Sequence, residues 1–281
     1  RVSRISSAVC SADMLAQKLI LSYGSKIFIQ MLQIAASIVV ARIAGPTVLG
    51  TVAFGLAFVS MFEFLADLGI GPAHMKLVSE GKDLGACIST YSVLKIINTA
   101  FFFCVVLAFY LVQKYFLGVH FESTAHETVI LITLVAVATY QIMYIPKITF
   151  AARTEQAKQD VPDILRTLIY QIMRVVIVLV GYRAVALALG NLVSTIMIIP
   201  FVFYMFRSYP RSRFDRKLAS RYLKTSFPII LIGMSTNMIY YLDKVVLQYF
   251  TNSEQVGYYV AGYRIGGLIF MIGTSAGLIF F

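Results

Sequence analysis

The stretch VVARIAGPTVLGTVAFGLAFVSMFEFLADLGIGPAHMK, residues 39–76, decides the class of fold. Its apolar run is longer than the about 20 residues that a helix needs to cross a hydrocarbon layer roughly 30 Å thick. Similar runs lie on both sides of it. Together they predict eight spans, at residues 22–44, 48–70, 88–113, 127–148, 162–184, 185–206, 225–250 and 256–281. We therefore predict an all-α fold, a polytopic transmembrane helical bundle.

The composition agrees with this class. The chain has 281 residues, of which 59% are hydrophobic and 13% charged, with a mean hydropathy of +0.81. A soluble domain carries about 25% charged residues, so this chain has too little polar surface to cover a globular core. Because it begins with Arg and ends inside an apolar run, we interpret it as part of a longer protein.

The distribution of basic residues predicts the orientation. With the N-terminus placed in the cytoplasm, 17 of the 24 Lys and Arg residues fall in cytoplasmic segments and three in outer ones. Arg166 is counted among the cytoplasmic ones. Basic loops stay on the cytoplasmic side of a membrane, so we predict a cytoplasmic N-terminus. The same bias explains the net charge of +11, and nucleic acid is not a predicted partner.

The most basic segment, residues 207–224, divides the chain. It follows a six-helix half, residues 1–206, and precedes residues 225–281, which hold the first two helices of a second half. Between two apolar spans such a segment is typical of a topology signal that contacts anionic membrane lipids.

Sliding the chain 207 residues along itself tests for a repeat. Gly50 then falls on Gly257 and Gly55 on Gly262. These identities favour two pseudo-repeated halves. Duplicated bundles with a site at their interface are typical of transporters.

Three cations lie well inside the predicted spans: Lys95, Arg174 and Arg264. An unpaired cation at mid-bilayer costs at least ~2.5 kcal/mol, so such residues face a bundle interior or a wet cavity. They could hold an anionic substrate. Alternatively, a carboxylate or helix-end carbonyl neutralises each of them and they only join helices.

Two carboxylates, Glu63 and Asp67, are four residues apart and share one face of the second span. They could bind a coupling proton or sodium ion, or form a gate with Lys95 or the basic loops. Near the outer end of the seventh span, Asp243 and Lys244 are predicted to form a boundary pair. We predict no metal site, no catalytic residue and no cofactor, because the three histidines show no metal-ligand spacing.

Two segments carry a resemblance to a known family. Residues 39–76, with an Ala-Arg-x-x-Gly-Pro turn and an Ala-Asp-x-Gly exit, resemble the first hairpin of the polysaccharide flippases, which belong to a superfamily with multidrug exporters. Residues 243–265 resemble the matching element of the second half, with Asp-Lys, Val-Gly-x-Tyr and Ala-x-Tyr-Arg steps.

The resemblance implies a transporter of the bacterial inner membrane rather than an enzyme. Its substrate would be a polyprenyl-pyrophosphate-linked oligosaccharide, flipped to the outer leaflet by alternating access for surface polysaccharide biosynthesis. Arg174, Arg264 and Lys95 would then be the cavity cations that hold the pyrophosphate. Contacts with other polysaccharide-assembly proteins stay open as further partners.

Two alternatives remain at this point. A multidrug or cation exporter of the same superfamily would favour buried carboxylates over the buried cations seen here. A membrane polymerase or acyltransferase would need a cluster of acid-base residues, and the longest outer loop, residues 115–127, holds His120, Glu122, His126 and Glu127 without a defined arrangement.

Overall fold

The computed structural model describes residues 28–116, 118 and 121–280, with side chains described as far as Arg264. The start of the first predicted span, residues 22–27, therefore lies outside the described residues. Every regular element in the described part is an α-helix: α1 (Phe28–Ala44), α2 (Pro46–Ser60), α3 (Phe64–Asp67), α4 (Ile70–Ser79), α5 (Leu84–Tyr115), α6 (Thr124–Ala152), α7 (Gln156–Leu179), α8 (Ala184–Phe206), α9 (Arg216–Phe250) and α10 (Ser253–Phe280).

Four membrane spans, or five when a bent segment is counted as one span, are supported by length and composition within the described residues. They are α5, α6, α8 and α9, together with the bent segment α2–α4. The predicted span at α7 does not qualify by composition, because three charged residues, Asp163, Arg166 and Arg174, lie within its apolar part. The predicted all-α transmembrane bundle is confirmed, but α7 is amphipathic rather than uniformly apolar.

The second predicted span is broken. The chain turns after Ser60, and the segments on the two sides of this turn meet at an angle of 40°. Leu68 and Gly69 then both adopt positive φ angles, 43° and 73°, which separate α3 from α4. The sequence predicted a helix end here, whereas the structure resumes a helix at once, because Pro72 lies in the first turn of α4, where its missing N–H has no helical partner to lose.

The predicted linker, residues 207–224, is shorter than expected. Asp215 caps α9 by accepting hydrogen bonds from the backbone N–H groups of Lys217 and Leu218, at 2.8 and 3.2 Å. Only residues 207–215 lie outside the helices, and residues 216–224 form the first turns of α9. A side-chain acceptor at the N-cap is what starts a helix in such a charged stretch.

The loops gather at two ends of the bundle. At one end, which we call the basic end, residues 207–215 meet the start of α5 and the turn between α6 and α7. Ser212 N–H donates to Ser89 Oγ at 3.1 Å, and Lys158 donates to the Tyr209 hydroxyl at 3.1 Å. The other end, the opposite end, holds the loops before α6, α8 and α10.

At the opposite end α2 and α10 cross with their backbones in contact. A Cβ atom on Gly50 would lie 1.8 Å from the Ser253 carbonyl oxygen, and one on Gly257 would lie 2.0 Å from the Pro46 carbonyl oxygen. Only glycine fits at either position. An offset of 207 residues relates Pro46 to Ser253 and Gly50 to Gly257. The two contacts are therefore equivalent, because each glycine meets the residue that corresponds to the other glycine's contact.

Candidate substrate cavity

A cavity of about 570 Å³ lies between α1, α2, α6, α7 and α8 on one side and the pair α9–α10 on the other. Its size is within the range of about 300–1,000 Å³ that is usual for ligand sites. Three arginines, five tyrosines, one lysine and one glutamate line it, besides apolar, amide and hydroxyl side chains: Arg166, Arg174, Arg264, Tyr140, Tyr144, Tyr170, Tyr241, Tyr263, Lys244 and Glu63. The cavity therefore joins positive charge to aromatic surface.

Arg174 is enclosed but has only neutral partners among the described residues. It is 5% exposed, and its Nη1 donates to Gln171 Oε1 at 2.8 Å and to Ser37 Oγ at 3.4 Å. Its guanidinium also lies over the Tyr170 ring, 5.5 Å from the ring centre. These contacts orient the charge without neutralising it.

Arg264 reaches the same cavity from α10. Its Nη1 atom is buried and has no hydrogen-bond partner in the described part of the chain. It lines the same cavity as Arg174, and the two positive charges repel each other. A pair of guanidinium groups held together in this way favours an anion between them, because each offers planar, charge-assisted donors.

Arg166 is a third cavity cation. It precedes Arg174 by eight residues on α7, which is about 12 Å along the helix. Its guanidinium lies over the Tyr140 ring at 4.7 Å, and its Nη1 donates weakly to Asn191 Oδ1 at 3.4 Å. The Nε atom is buried without a hydrogen-bond partner among the described residues.

Glu63 is the carboxylate on the described cavity wall. It lies at the N-cap position of α3, at the break of the second span, and its Oε1 accepts a hydrogen bond from Gln141 Nε2 at 2.7 Å. A break in a membrane helix is tolerated where the backbone lines a cavity. The position is therefore compatible with the predicted role in ion coupling, which stays a prediction.

Lys95 and Asp67 form an ion pair behind the cavity wall, and neither residue lines the cavity. Lys95 is fully buried, and its Nζ lies 3.1 Å from Asp67 Oδ1 and 4.9 Å from the Tyr144 ring centre. Asn98 Nδ2 also donates to the Asp67 carbonyl oxygen at 3.3 Å. Of the two arrangements open from sequence, the structure shows Lys95 neutralised by a carboxylate that joins α3 to α5.

Asp243 and Lys244 form an ion pair in the part of α9 that lies toward the opposite end of the bundle. Lys244 also lines the cavity. The Lys244 Nζ lies 2.9 Å from Asp243 Oδ1 and donates to the Tyr240 carbonyl oxygen at 2.6 Å. The hydroxyl of Tyr259 donates to Asp243 Oδ2 at 2.5 Å. The pair thus joins α9 to α10 and places one cation beside the Tyr263 ring.

A second polar cluster joins the loop before α6 to the start of α10. Glu122 Oε2 accepts hydrogen bonds from Ser253 N–H at 2.9 Å and from Gln248 Nε2 at 2.8 Å. His126 Nε2 lies 2.6 Å from Ser253 Oγ, and both of these residues are buried. Burial opposes the charge of Glu122, but these hydrogen bonds outweigh it and hold the pKa of Glu122 below its ordinary value of 4.5.

The structure brings together some of the residues singled out by sequence. Arg174, Arg264 and Glu63 share the cavity, while Lys95 and Asp67 form a separate pair. Sequence reasoning missed Arg166, which it assigned to a cytoplasmic segment, and the exposure of Lys244 to the cavity. A signal for Arg166 did exist, because Arg166, Tyr170 and Arg174 are spaced four apart and share one face of a helix.

Comparisons with known proteins agree with this architecture. The model of a family described as "Polysaccharide biosynthesis protein" matches residues 15–278. No curated protein matches the chain. A solved structure, a multidrug resistance MATE family transporter of the MOP superfamily in an inward-facing conformation, has a similar fold, with a TM-score of 0.62 and 17% identity. The match covers 85% of this chain and 58% of that transporter. The chain therefore belongs to the polysaccharide biosynthesis protein family, and it has the fold of a MOP-superfamily transporter.

Proposed function

We propose that this protein flips a polyprenyl-pyrophosphate-linked oligosaccharide from the cytoplasmic to the outer leaflet of a bacterial inner membrane. The observation that carries the proposal is the pair Arg174 and Arg264, two cavity guanidiniums without a carboxylate partner among the described residues. Intramembrane cations are costly unless they meet an anion or water. A pyrophosphate supplies two negative charges on oxygen atoms that guanidiniums recognise well.

The rest of the cavity fits the sugar. Tyrosine rings offer flat surfaces on which sugar rings can stack, and amide groups such as those of Gln171 and Asn191 can bind hydroxyls. The polyprenyl tail needs no pocket, because it can stay in the surrounding lipid. Residues 207–215 and their neighbours make the basic end cytoplasmic in this proposal.

Alternating access would begin from the described state by separating α2 from α10. Their backbone contact at Gly50 and Gly257 and the hydrogen bonds of Glu122 hold the opposite end together. Rocking of two halves about a central site is the usual mechanism for duplicated transporters. The cavity would then open toward the outer leaflet.

The charge of the cavity argues against the two alternatives. An exporter of cationic drugs would gain little from three arginines and a single carboxylate among the described lining residues. A membrane polymerase or acyltransferase would need a reactive cluster open to substrate. His126 and Ser253 do meet, but they are 3% and 0% exposed and their hydrogen bonds join two elements.

Transport in vesicles tests the proposal. The full-length protein is placed in phosphatidylcholine vesicles, and a labelled polyprenyl-pyrophosphate-linked oligosaccharide is added to one leaflet. We expect the labelled sugar to reach the other leaflet with wild-type protein and with Arg207→Gln, and much more slowly with Arg174→Gln. Arg207 is a matched control because its guanidinium also stacks on a tyrosine, Tyr204 at 4.2 Å, but on the surface. Failure of the wild type to move the sugar would contradict the proposal.

A further inference from the structure

The cavity has a second cationic site that the proposed pyrophosphate-binding pair does not include. Arg166 lies about 12 Å from Arg174 along α7, toward the basic end. Its contacts, Tyr140 and Asn191, are also different from the contacts of Arg174, which are Gln171, Ser37 and Tyr170. Arg166 therefore needs a separate explanation.

The surroundings of Arg166 resemble a prepared site. The Tyr140 ring lies 4.7 Å from the guanidinium carbon and fixes the plane of the group. Asn191, on the facing helix α8, contacts Nη1 at 3.4 Å, which is long for a hydrogen bond. The buried Nε has no partner among the described residues. A buried donor without an acceptor in the protein is rare, and Nε is therefore available to a group in the cavity.

Nearby carboxylates do not fill this role. Asp163, one turn earlier on α7, contacts Lys147 Nζ at 2.5 Å and accepts from the Tyr140 hydroxyl at 3.0 Å. Glu63 accepts from Gln141. No ion pair joins Arg166 to a carboxylate in the described part of the chain. Its positive charge is therefore available to an anion in the cavity.

We propose that Arg166, Tyr140 and Asn191 form a second phosphate-binding site, which holds the pyrophosphate of the substrate when it enters from the basic end. The substrate would then move to Arg174 and Arg264. This inference rests on the proposed function for the identity of the ligand. The phosphate chemistry alone could also come from an anionic lipid headgroup, and the experiment below separates the two sources.

Photolabelling tests for two sites. The probe is a short polyprenyl pyrophosphate with a photoreactive group beside the pyrophosphate, added to full-length protein in phosphatidylcholine vesicles. Mass spectrometry then locates the labels. We expect labels around Tyr140 and Asn191 and, separately, around Tyr170 and Tyr263. Arg166→Gln should reduce the first set at least tenfold and keep the second, and Arg174→Gln should do the reverse.

The variants provide their own controls. Label retained at the other site shows that a variant is folded, and Arg207→Gln should keep both sets. Arg166→Lys, which keeps the charge but loses the planar group, should fall between wild type and Arg166→Gln. Joint loss of both sets in Arg166→Gln, or no loss, would overturn the second site, as would the absence of label around Tyr140 in the wild type.

Adding phosphatidylglycerol to the vesicles distinguishes the sources of phosphate. If the site is for the substrate, an equal amount of this anionic lipid should leave the label around Tyr140 within twofold of its original level. If the lipid removes that label, the site binds headgroups and the entry role is wrong. Failure of oligosaccharide transport with both label sets intact would instead count against the proposed function and leave the phosphate site standing.

Discussion

Lys95 and Arg174 are both enclosed cations, and the molecule treats them differently. Lys95 is 0% exposed and is neutralised by Asp67 at 3.1 Å. Arg174 is 5% exposed and contacts only the neutral groups of Gln171, Ser37 and Tyr170 in the described structure. A charge with a carboxylate partner joins helices, whereas a charge with neutral partners beside a cavity is available to a ligand. Mutations can test this difference. Loss of a carboxylate partner should lower the stability of the protein, whereas loss of a cavity cation should weaken ligand binding.

The largest effect is expected from Asp67→Asn. This change leaves the buried Lys95 charge unpaired, and breaking a buried ion pair from one side costs about 3–5 kcal/mol. Denaturation of the purified protein in detergent measures the loss. The double variant Asp67→Asn with Lys95→Met should recover most of it, because neither charge then remains. Equal instability of the single and double variants would show that the pair is not what holds α3 to α5.

Arg174→Gln should change binding rather than stability. A hydrogen bond to a charged group contributes about 1.5–3 kcal/mol. Its loss should therefore lower the affinity for polyprenyl pyrophosphate by roughly 10- to 150-fold. The readout is the rise in melting temperature that polyprenyl pyrophosphate causes, since a ligand stabilises the state that binds it. A variant that melts several degrees earlier without ligand would place Arg174 in the same class as Lys95.

Glu63→Gln should have a smaller effect, in the opposite direction. Removing the carboxylate from the cavity takes away a repulsion of about 1 kcal/mol in surroundings of intermediate dielectric, so anion affinity should rise about fivefold. The same titration with polyprenyl pyrophosphate measures it. Weaker binding in this variant would mean that Glu63 orients a group that contacts the ligand.

The smallest effect is expected from Asp243→Asn. The Asp243 side chain is 32% accessible, much like that of Asp67 at 31%, so the difference lies in the lysines. Lys244 is 11% accessible against 1% for Lys95, and it keeps the Tyr240 carbonyl oxygen as a hydrogen-bond partner, so its pair with Asp243 should contribute only about 0.2–1 kcal/mol. Chemical denaturation measures this contribution. A loss as large as that of Asp67→Asn would show that Lys244 is as dependent on its partner as Lys95 is.

Much of the fold could be predicted from sequence because apolar length is a strong signal for a membrane helix. The same signal failed at α7, which is amphipathic because its polar face lines a cavity rather than lipid. It also failed at Gly69, because the residues that break a span there are the same types that end a helix. Arg174 and Arg264 were found because they lie deep in apolar runs. Arg166 was missed because it lies near basic loop residues, and only the fold shows that Tyr140 and Asn191 enclose it.

The glycine crossing at the opposite end has an evolutionary consequence. In a symmetric dimer of two identical halves, one glycine codon would provide both sides of such a contact on the two-fold axis. In this protein the two glycines lie in one chain, so two codons must be kept, those of Gly50 and Gly257. Gly50 packs against the backbone of Ser253, and Gly257 packs against the backbone of Pro46. A side chain at either position would meet backbone atoms that cannot move aside, so sequence drift in α2 is limited by a carbonyl group of α10, and drift in α10 by a carbonyl group of α2.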